Sequence, residues 1–526
     1  MTCYWIDENF ILHEALLDFV ELFGKHDGDS LAPVILKVLE DYGIEKKLFC
    51  LTSDSAGNNG TMCRRLSRLL NARGITWDYT QRHIPCMTHI IHNNVKAFMK
   101  GIKAAAVDDD ELGSNPNGGS RPDLDDIASD LVFSNILDKI RGIAKKIRVS
   151  QGWEAFEDIC KSVPVKPLKI LLDTATRWGS TQRMLERVLY LRVAVQRFTI
   201  LRDDCEQFVI SDSEWKLVEL ICGFLWPFRW ATEALESTEK PELDRVFWIY
   251  NKLFTQIEEF QRTLKAREEL DEAWAGELLG ALEKMYDHLK KYYRKAGQSV
   301  YSDSMILHPR IKLKLFHTRD WDDGDANHYA GICRDNYDEN YATLRLSEIH
   351  KSTPFADLSP KRKANQLEDE YDQYLAEELS PARVGHELDM YLLEPTVHVK
   401  SALDYWRIHH RKYPHLAMMA RDVFAVPPSG SGVEREFSIA GRVATWQRNQ
   451  LHAHTITAIM IYKNYLNRCR RSLKMDLHDM VVSSLGTEED AEVETEEEAE
   501  QAMRTIDEWQ KDWRLRLNGV RGTRVV

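Results

Sequence analysis

Four short stretches carry residue types that can do chemistry: LTSDSAGNN at 51–59, IPCMTH at 84–89, TRWGSTQRMLER at 176–187 and SGVEREFSIAG at 431–441. In the first, a short apolar run delivers one carboxylate, Asp54, ahead of a polar turn. Such a carboxylate either caps the following helix or holds a metal. In the second, Cys86 and His89 have the spacing of half a zinc site, and His83 and His92 extend it in three-residue steps. Structural zinc needs four convergent ligands, and residues at three-residue steps drift around a helix. A buried cysteine and histidine is therefore expected here, and zinc is not. In the third, Arg177 and Trp178 stand between Asp173 and the hydroxyls of Ser180 and Thr181. An arginine, an indole and two hydroxyls suit phosphate contact with base stacking, or equally a core tryptophan beside a snorkelling arginine. In the fourth, Glu434 is a carboxylate open to two readings. Ser431 to Glu434 also has the S-x-x-E spacing of a capping box.

These residues need elements to place them. TCYWID and FILHEALLDFVEL read as strands around the turn DEN. SLAPVILKVLEDYG reads as a helix with Ser30 as N-cap, Pro33 in its first turn and Gly43 at its end. KKLFCLT is a short strand leading to Asp54, and the next helix runs from Asn59 to Gly74. HIPCMTHIIHNNVKAFMK starts as strand or loop and continues as helix. Alternating strands and helices imply an α/β fold with a mixed sheet, whose ligand sites gather at the carboxyl ends of strands. Asp54 falls at such an end. Residues 106–130 are rich in Asp, Gly, Asn and Pro and form a linker. Beyond it Ile136, Ile140, Ile143 and Ile147 share one helical face, with Lys139, Lys145, Lys146 and Arg148 among them. From about 190 to 300 the pattern is almost wholly helical, with Trp215, Trp226, Trp230, Trp248 and Trp274 as large core candidates.

Composition narrows the function classes. The chain has 526 residues with 43% apolar side chains, enough for more than one domain. No apolar run is long enough to span a bilayer and no signal-peptide pattern opens the chain, so neither a membrane nor a secretory role is expected. Nine scattered cysteines suit a reducing compartment. The net charge of −13 argues against a chain that coats nucleic acid over its whole surface. Much of the excess is local, because nine acidic residues lie between Glu488 and Glu500. The remainder is nearly balanced and has room for a basic face.

Taken in order, the four stretches resemble the hAT superfamily of transposases. LTSDSAGNN is similar to that family's TTDNASNN block, IPCMTHIIHNNV to its C-x-x-H block and TRWGSTQRMLER to its TRWNSTYxMLxR block. YYRKAGQSVYSDSMILHPRIKLKLF resembles the YYxK…LHPRxK segment. The stretch from YWRIHHRKYP to ATWQRNQL resembles the C-terminal dimerisation region, with its ERxFS core at Glu434, Arg435, Phe437 and Ser438.

The resemblance implies an RNase H-like mixed sheet interrupted by a large all-helical insertion. It places the N-terminal part of that core at 1–105, the acidic Gly/Pro linker at 106–130, and the helical insertion with flanking core segments at 131–390. The dimerisation region and the end of the core then occupy 391–475, and an acidic tail 476–526. It implies DNA cutting by three carboxylates that hold two divalent metals, Mg²⁺ or Mn²⁺. Asp54 would be the second carboxylate and Glu434 the third. Arg177 and Trp178 would contact DNA, and Cys86, His89 and Arg435 would stand beside the site. The family's first catalytic aspartate lies on the first strand, upstream of the text similar to TCYWID. Asp7 matches a different position and does not replace it. The core's first strand is therefore expected to be missing, and the chain as written to be incompetent for cutting. The implied protein is nuclear, DNA-associated and homodimeric or larger, with no small-molecule substrate. The alternative is an active cut-and-paste transposase whose true start lies upstream.

In TITAIMIYKNYLNRC little of the helix surface is polar, so most of it must be buried. One side should pack on its own domain. The other, with Ile459, Tyr462 and Leu466, meets a second chain on the family reading, or is buried within one chain.

Overall fold

The computed structural model describes residues 1–22, 27–55, 57–102, 132–163, 165–173, 178–236, 243–266, 272–293, 299–318, 321–344, 386–443 and 452–476. The linker at 106–130 and the acidic tail beyond Asp476 lie outside them. The chain divides into two compact units. One holds Met1–Cys86, Thr238–Arg245 and Gly297–Val526, and the other holds Met87–Ser237 and Val246–Ala296.

The first unit opens with the expected hairpin. Strand β1 (Thr2–Ile6) pairs antiparallel with β2 (Leu12–Leu16), Thr2 opposite Leu16 and Ile6 opposite Leu12. Asp7 shapes the turn, its carboxylate accepting from the backbone N–H groups of Asn9 and Ile11 at 2.9 Å each. Helix α1 spans Gly28–Asp41 and is capped by Asp27, whose side chain accepts from the Ser30 N–H at 2.9 Å. Ser30 therefore lies inside the helix instead of capping it, and Pro33 falls in the second turn. The helix ends as expected at Gly43, which takes φ 64°. The Gly43 N–H donates to Glu40 O and the Ile44 N–H to Leu39 O, both at 2.9 Å, a Schellman cap that a Cβ would strain. Helix α2 (Gly57–Asn71) starts two residues earlier than read and closes the same way at Gly74, φ 75°. Ala32 and Leu36 of α1 pack on Met62, Cys63, Leu66 and Leu70 of α2.

Strand β3 (Leu51–Ser53) pairs parallel with β4 (His83–Pro85), and a single turn, α3 (Tyr79–Arg82), leads into β4. Among the described residues the strands form two separate two-stranded ladders and not one mixed sheet. Helices cover what a continuous sheet would have paired. The Ile6 carbonyl at the end of β1 accepts from Arg421 Nε and Nη2 at 3.2 and 3.1 Å.

Helix α12 (Ser299–Ile306) is buried from Val300 to Ile306 and packs on α13 (Asp325–Asn340). After it comes the LHPRxK segment. Lys312 (φ 48°) points its ammonium at the C-terminal end of α14 (Glu387–Leu393), bonding the carbonyls of Tyr391 and, at 2.8 Å, Glu394. A cation there complements the helix dipole. Helices α15 (Ala402–His409), α16 (Pro414–Phe424), α17 (Ser431–Val443) and α18 (Ala453–Asp476) complete the unit.

The second unit is helical throughout its described residues. Its helices are α4 (Met87–Gly101), α5 (Val132–Arg148), α6 (Ser150–Lys161), α7 (Trp178–Tyr190), α8 (Arg192–Ile200), α9 (Asp212–Leu235), α10 (Val246–Ala266) and α11 (Glu272–Tyr293). Ile136, Ile140, Ile143 and Ile147 are fully buried, as their spacing predicts. Lys139 and Lys146 beside them bond the carboxylates of Glu214 and Asp204. The tryptophans correct the sequence reading. Trp215 is buried, but Trp226 is 54% exposed, Trp230 38% and Trp248 39%. Helical periodicity reports an apolar residue but not which side of a helix faces a neighbour. The side chain of Trp274 lies outside the described residues.

Candidate functional site

The carboxyl ends of β3 and β4 meet the segment that leads into α17. The Thr52 hydroxyl donates to the Pro427 carbonyl at 2.9 Å, the Cys86 N–H to Ser53 O at 2.7 Å, and the Gly430 N–H to Cys86 Sγ at 3.1 Å. Asp54 follows β3 directly and Glu434 lies one turn inside α17. Two stretches almost four hundred residues apart in sequence are thus bonded side by side, each carrying one exposed carboxylate.

Both carboxylates have local surroundings that bear on their bland readings. Asp54 Oδ1 accepts from Asn59 Nδ2 at 2.5 Å, across the start of α2. The Glu434 N–H donates to Gly430 O at 3.1 Å. That first helical bond makes Gly430 the N-cap and Glu434 the fourth helical residue, one place beyond the position a capping box requires. The box expected from Ser431 is therefore out of register.

The ERxFS core is anchored to the hairpin. Arg435 Nη1 reaches Glu14 Oε2 at 3.1 Å, and the Tyr4 hydroxyl donates to Glu14 Oε1 at 2.8 Å. Burial, and then the adjacent Glu14 carboxylate, push the Tyr4 phenol well above its usual range. The next residue, Glu436, accepts from Asn464 Nδ2 of α18 at 2.7 Å, and Asn464 Oδ1 accepts from the Leu16 N–H at 3.1 Å. Burial raises the Glu436 pKa. Consecutive residues thus have divided roles: Glu434 faces solvent while Arg435 and Glu436 lock α17 to β2 and α18. Tyr4 and Glu14 escaped the sequence reading, since no local spacing joins them to a partner 421 residues away.

The histidines and cysteine at three-residue steps go to different partners. His83 Nε2 lies 2.8 Å from Ser53 Oγ, Cys86 Sγ accepts from Gly430, and the His89 ring stacks on His92 with centroids 6.2 Å apart. Burial, and then the neighbouring His89, lower the His92 pKa. Among the described residues no three side chains of His, Cys, Asp or Glu gather where they could hold a metal ion. Asp54 and Glu434 alone do not fit a two-metal pair.

In the other unit, Arg177 lies outside the described residues, as does the side chain of Trp178, whose backbone begins α7. The hydroxyl of Thr181 is buried and donates to Asp173 Oδ2 at 3.1 Å. Asp173 is also gripped by Arg141 through Nε at 3.0 Å and Nη2 at 2.7 Å. The hydroxyl offered by the sequence for phosphate contact instead fixes the start of α7.

Three family models match the chain in order. The ZBED1 RNase-like domain covers residues 1–79, the ZBED1 RNase-like helical domain 84–224, and the hAT family C-terminal dimerisation region 387–466. The chain belongs to the hAT transposase-related family. Its curated relatives agree. A Talaromyces stipitatus protein named as a transcriptional regulator, tpeD, is 28% identical over 96% of this chain and 55% of its own length. A Zea mays protein named as an AC transposase is 24% identical over 90% of this chain and 55% of its own. The zinc finger BED domain-containing protein DAYSLEEPER of Arabidopsis thaliana is 27% identical over 60% of this chain and 43% of its own. This hAT chain spans about half the length of the first two relatives.

The dimerisation region includes α17 and α18. Ala458, Ile459, Met460 and Ile461 are all buried, clustered with Leu16, Ala440 and Val443. Four successive buried residues surround the helix, so this turn of α18 is core within one chain. Tyr462 packs partly buried on the same cluster, and Leu466 is half-buried. The exposed apolar surface lies on α17 instead. Phe437 is 62% exposed and its ring meets Phe19 edge-on at 5.4 Å, near the exposed Val20. No helix among the described residues is long and apolar enough to cross a membrane.

Proposed function

We propose that this hAT-derived chain is a nuclear, DNA-associated protein that dimerises through its C-terminal region and, as it stands, does not cut DNA. The observation that carries the reading is the α17–α18 pair: a fully packed apolar α18 beneath a helix that presents Phe437 to solvent, inside the segment matching the dimerisation region. Large aromatic side chains held out on a rigid helix are the usual anchors of protein interfaces. The proposed sheet is RNase H-like, with the two short ladders as parts of it, and Arg177 and Trp178 are the proposed DNA contacts. Mg²⁺ or Mn²⁺ enters only if a third carboxylate completes the pair at Asp54 and Glu434, and zinc has no proposed place.

A second reading, an active cut-and-paste transposase, is favoured by one observation. The chain segments bearing Asp54 and Glu434 are hydrogen-bonded to each other at the strand ends.

The test of the first reading is sedimentation of the whole chain. It is expected to run as a dimer or larger at micromolar concentration. Phe437→Asp should weaken the C-terminal association at least about tenfold without changing the thermal midpoint, because the side chain it removes is mostly in water. Ile459→Asp is the wrong probe, since a buried charge in the cluster would unfold α18. A parent chain that stays monomeric refutes the reading.

A further inference from the structure

The outward side of α9 has an unusual composition for a surface helix. Its exposed seam reads Lys216, Glu219, Gly223, Trp226, Trp230 and Glu233, in steps of three and four residues. That alternation is the spacing of a helix–helix seam. A solvent face normally carries charge along its length. Here the centre is a bare glycine and two exposed tryptophans, and Trp248 of α10 extends the patch, its ring meeting Trp230 at 5.4 Å. Charge is confined to the rim and already balanced: Glu219 bonds Arg192 at 2.7 Å, and Glu233 bonds Arg229 at 2.8 Å. An apolar aromatic patch with a polar rim marks an interaction site.

We propose that this face of α9 is a homotypic docking surface, on which α9 of a second copy of the chain lies antiparallel, with a two-fold axis beside Trp226. The seam is complementary to itself in that orientation and in no parallel one. Gly223 and Trp230 are equidistant from the axis in opposite directions, so each Trp230 indole covers the opposite Gly223. The space is there, because nothing lies within 4 Å of a Cβ built on Gly223. A hydrogen bond is waiting too. Pro227 sits inside α9 and has no N–H, so the Gly223 carbonyl lacks the donor that a helix supplies four residues on. The indole N–H is a donor only and matches it. At the ends, Lys216 comes opposite Glu236 of the second copy, and the two Trp226 rings meet near the axis. An isologous contact of this kind buries the same patch on both partners. The seam carries both signs of charge in near balance, so phosphate-bearing nucleic acid is the weaker occupant.

The interface is separate from the proposed C-terminal one, and one experiment reads them apart. Sedimentation velocity is run on the full chain, Phe437→Asp, Gly223→Leu and the double variant across micromolar concentrations. The parent should form species beyond the dimer. Phe437→Asp and Gly223→Leu should each stop at the dimer, and the double variant should be monomeric. Gly223→Leu should melt no lower than the parent, because leucine favours helix over glycine and meets no neighbour within the chain. Trp230→Ala should repeat the loss of assembly by removing the matching group. A Phe437→Asp chain that is monomeric throughout overturns the α9 proposal and leaves the C-terminal reading standing. Identical sedimentation with and without Gly223→Leu, in both backgrounds, overturns it as well. Tryptophan quenching by single-stranded DNA that Trp230→Ala abolishes, with sedimentation unchanged, would give the face to nucleic acid instead.

Discussion

Gly432→Ala is expected to destabilise the chain by about 3–5 kcal/mol, the largest effect of any single methyl group added at the site. A Cβ at this position of α17 would lie 1.9 Å from the Tyr4 hydroxyl and 2.5 Å from Glu14 Oε1. Neither atom has freedom to retreat. Tyr4 is buried on β1 and bonded to Glu14, and Glu14 is held by Arg435. Making room therefore breaks a buried hydrogen bond as well as overpacking, at a further cost of about 1–3 kcal/mol. Helix propensity alone would favour alanine over glycine by about 1 kcal/mol, so the expected sign is opposite to the local rule. Denaturant titration of Gly432→Ala with and without Tyr4→Phe forms the check. Removing the hydroxyl should restore roughly half of the loss as a coupling between the two sites. A Gly432→Ala chain as stable as the parent would mean that the hairpin does not press on α17.

The second large effect depends on pH. Asp303 is fully buried in α12, with Oδ2 accepting from Asn336 Nδ2 at 2.6 Å and Oδ1 without a hydrogen-bond partner. Burial raises its pKa from 3.8 to about 7, against the lowering effects of Asn336, Cys333 and Arg82. Between those two values the unfolded chain has lost this proton and the folded chain keeps it, so stability falls as pH rises. The contribution is full below about pH 4 and gone above about pH 7, on the order of 4 kcal/mol at most. Two nearby groups largely offset each other in that window. Burial raises Asp244 to about 6 and lowers His308 to about 4, and the two lie 3.9 Å apart. Asp244 adds a falling slope and His308 a rising one. Asp303→Asn should therefore flatten the curve, leaving stability near pH 4 unchanged and raising it at pH 8 by about 2–4 kcal/mol. Urea titrations at the two pH values read it directly. An unchanged slope would place the proton elsewhere.

The two cases show what a sequence discloses and what it withholds. Local rules were legible. Gly43 and Gly74 end helices because a left-handed residue is needed there, and the isoleucines at 136, 140, 143 and 147 mark a buried face. Errors of one or two residues arose where neighbouring groups compete for the same backbone donor. Asp27 takes the cap assigned to Ser30, and Gly430 the one assigned to Ser431. The motifs located Asp54, Cys86 and Glu434 but not their neighbours. The bonds from Thr52 to Pro427 and from Gly430 to Cys86 join distant segments, and nothing in local spacing encodes them. The same holds for Glu14 beneath Arg435. Trp226, Trp230 and Trp248 were misplaced for another reason. Hydrophobic character usually means burial within a chain, and it fails wherever the burial is completed by something else.

The most direct test of the account is a DNA-cutting assay on the full chain with duplex DNA and Mg²⁺ or Mn²⁺. Asp54 and Glu434 are exposed, and no third metal-binding side chain joins them among the described residues. The account predicts a retarded DNA band with every strand at its original length, the same for the parent and for Asp54→Ala. Shortened strands that need the metal and vanish in Asp54→Ala would contradict it.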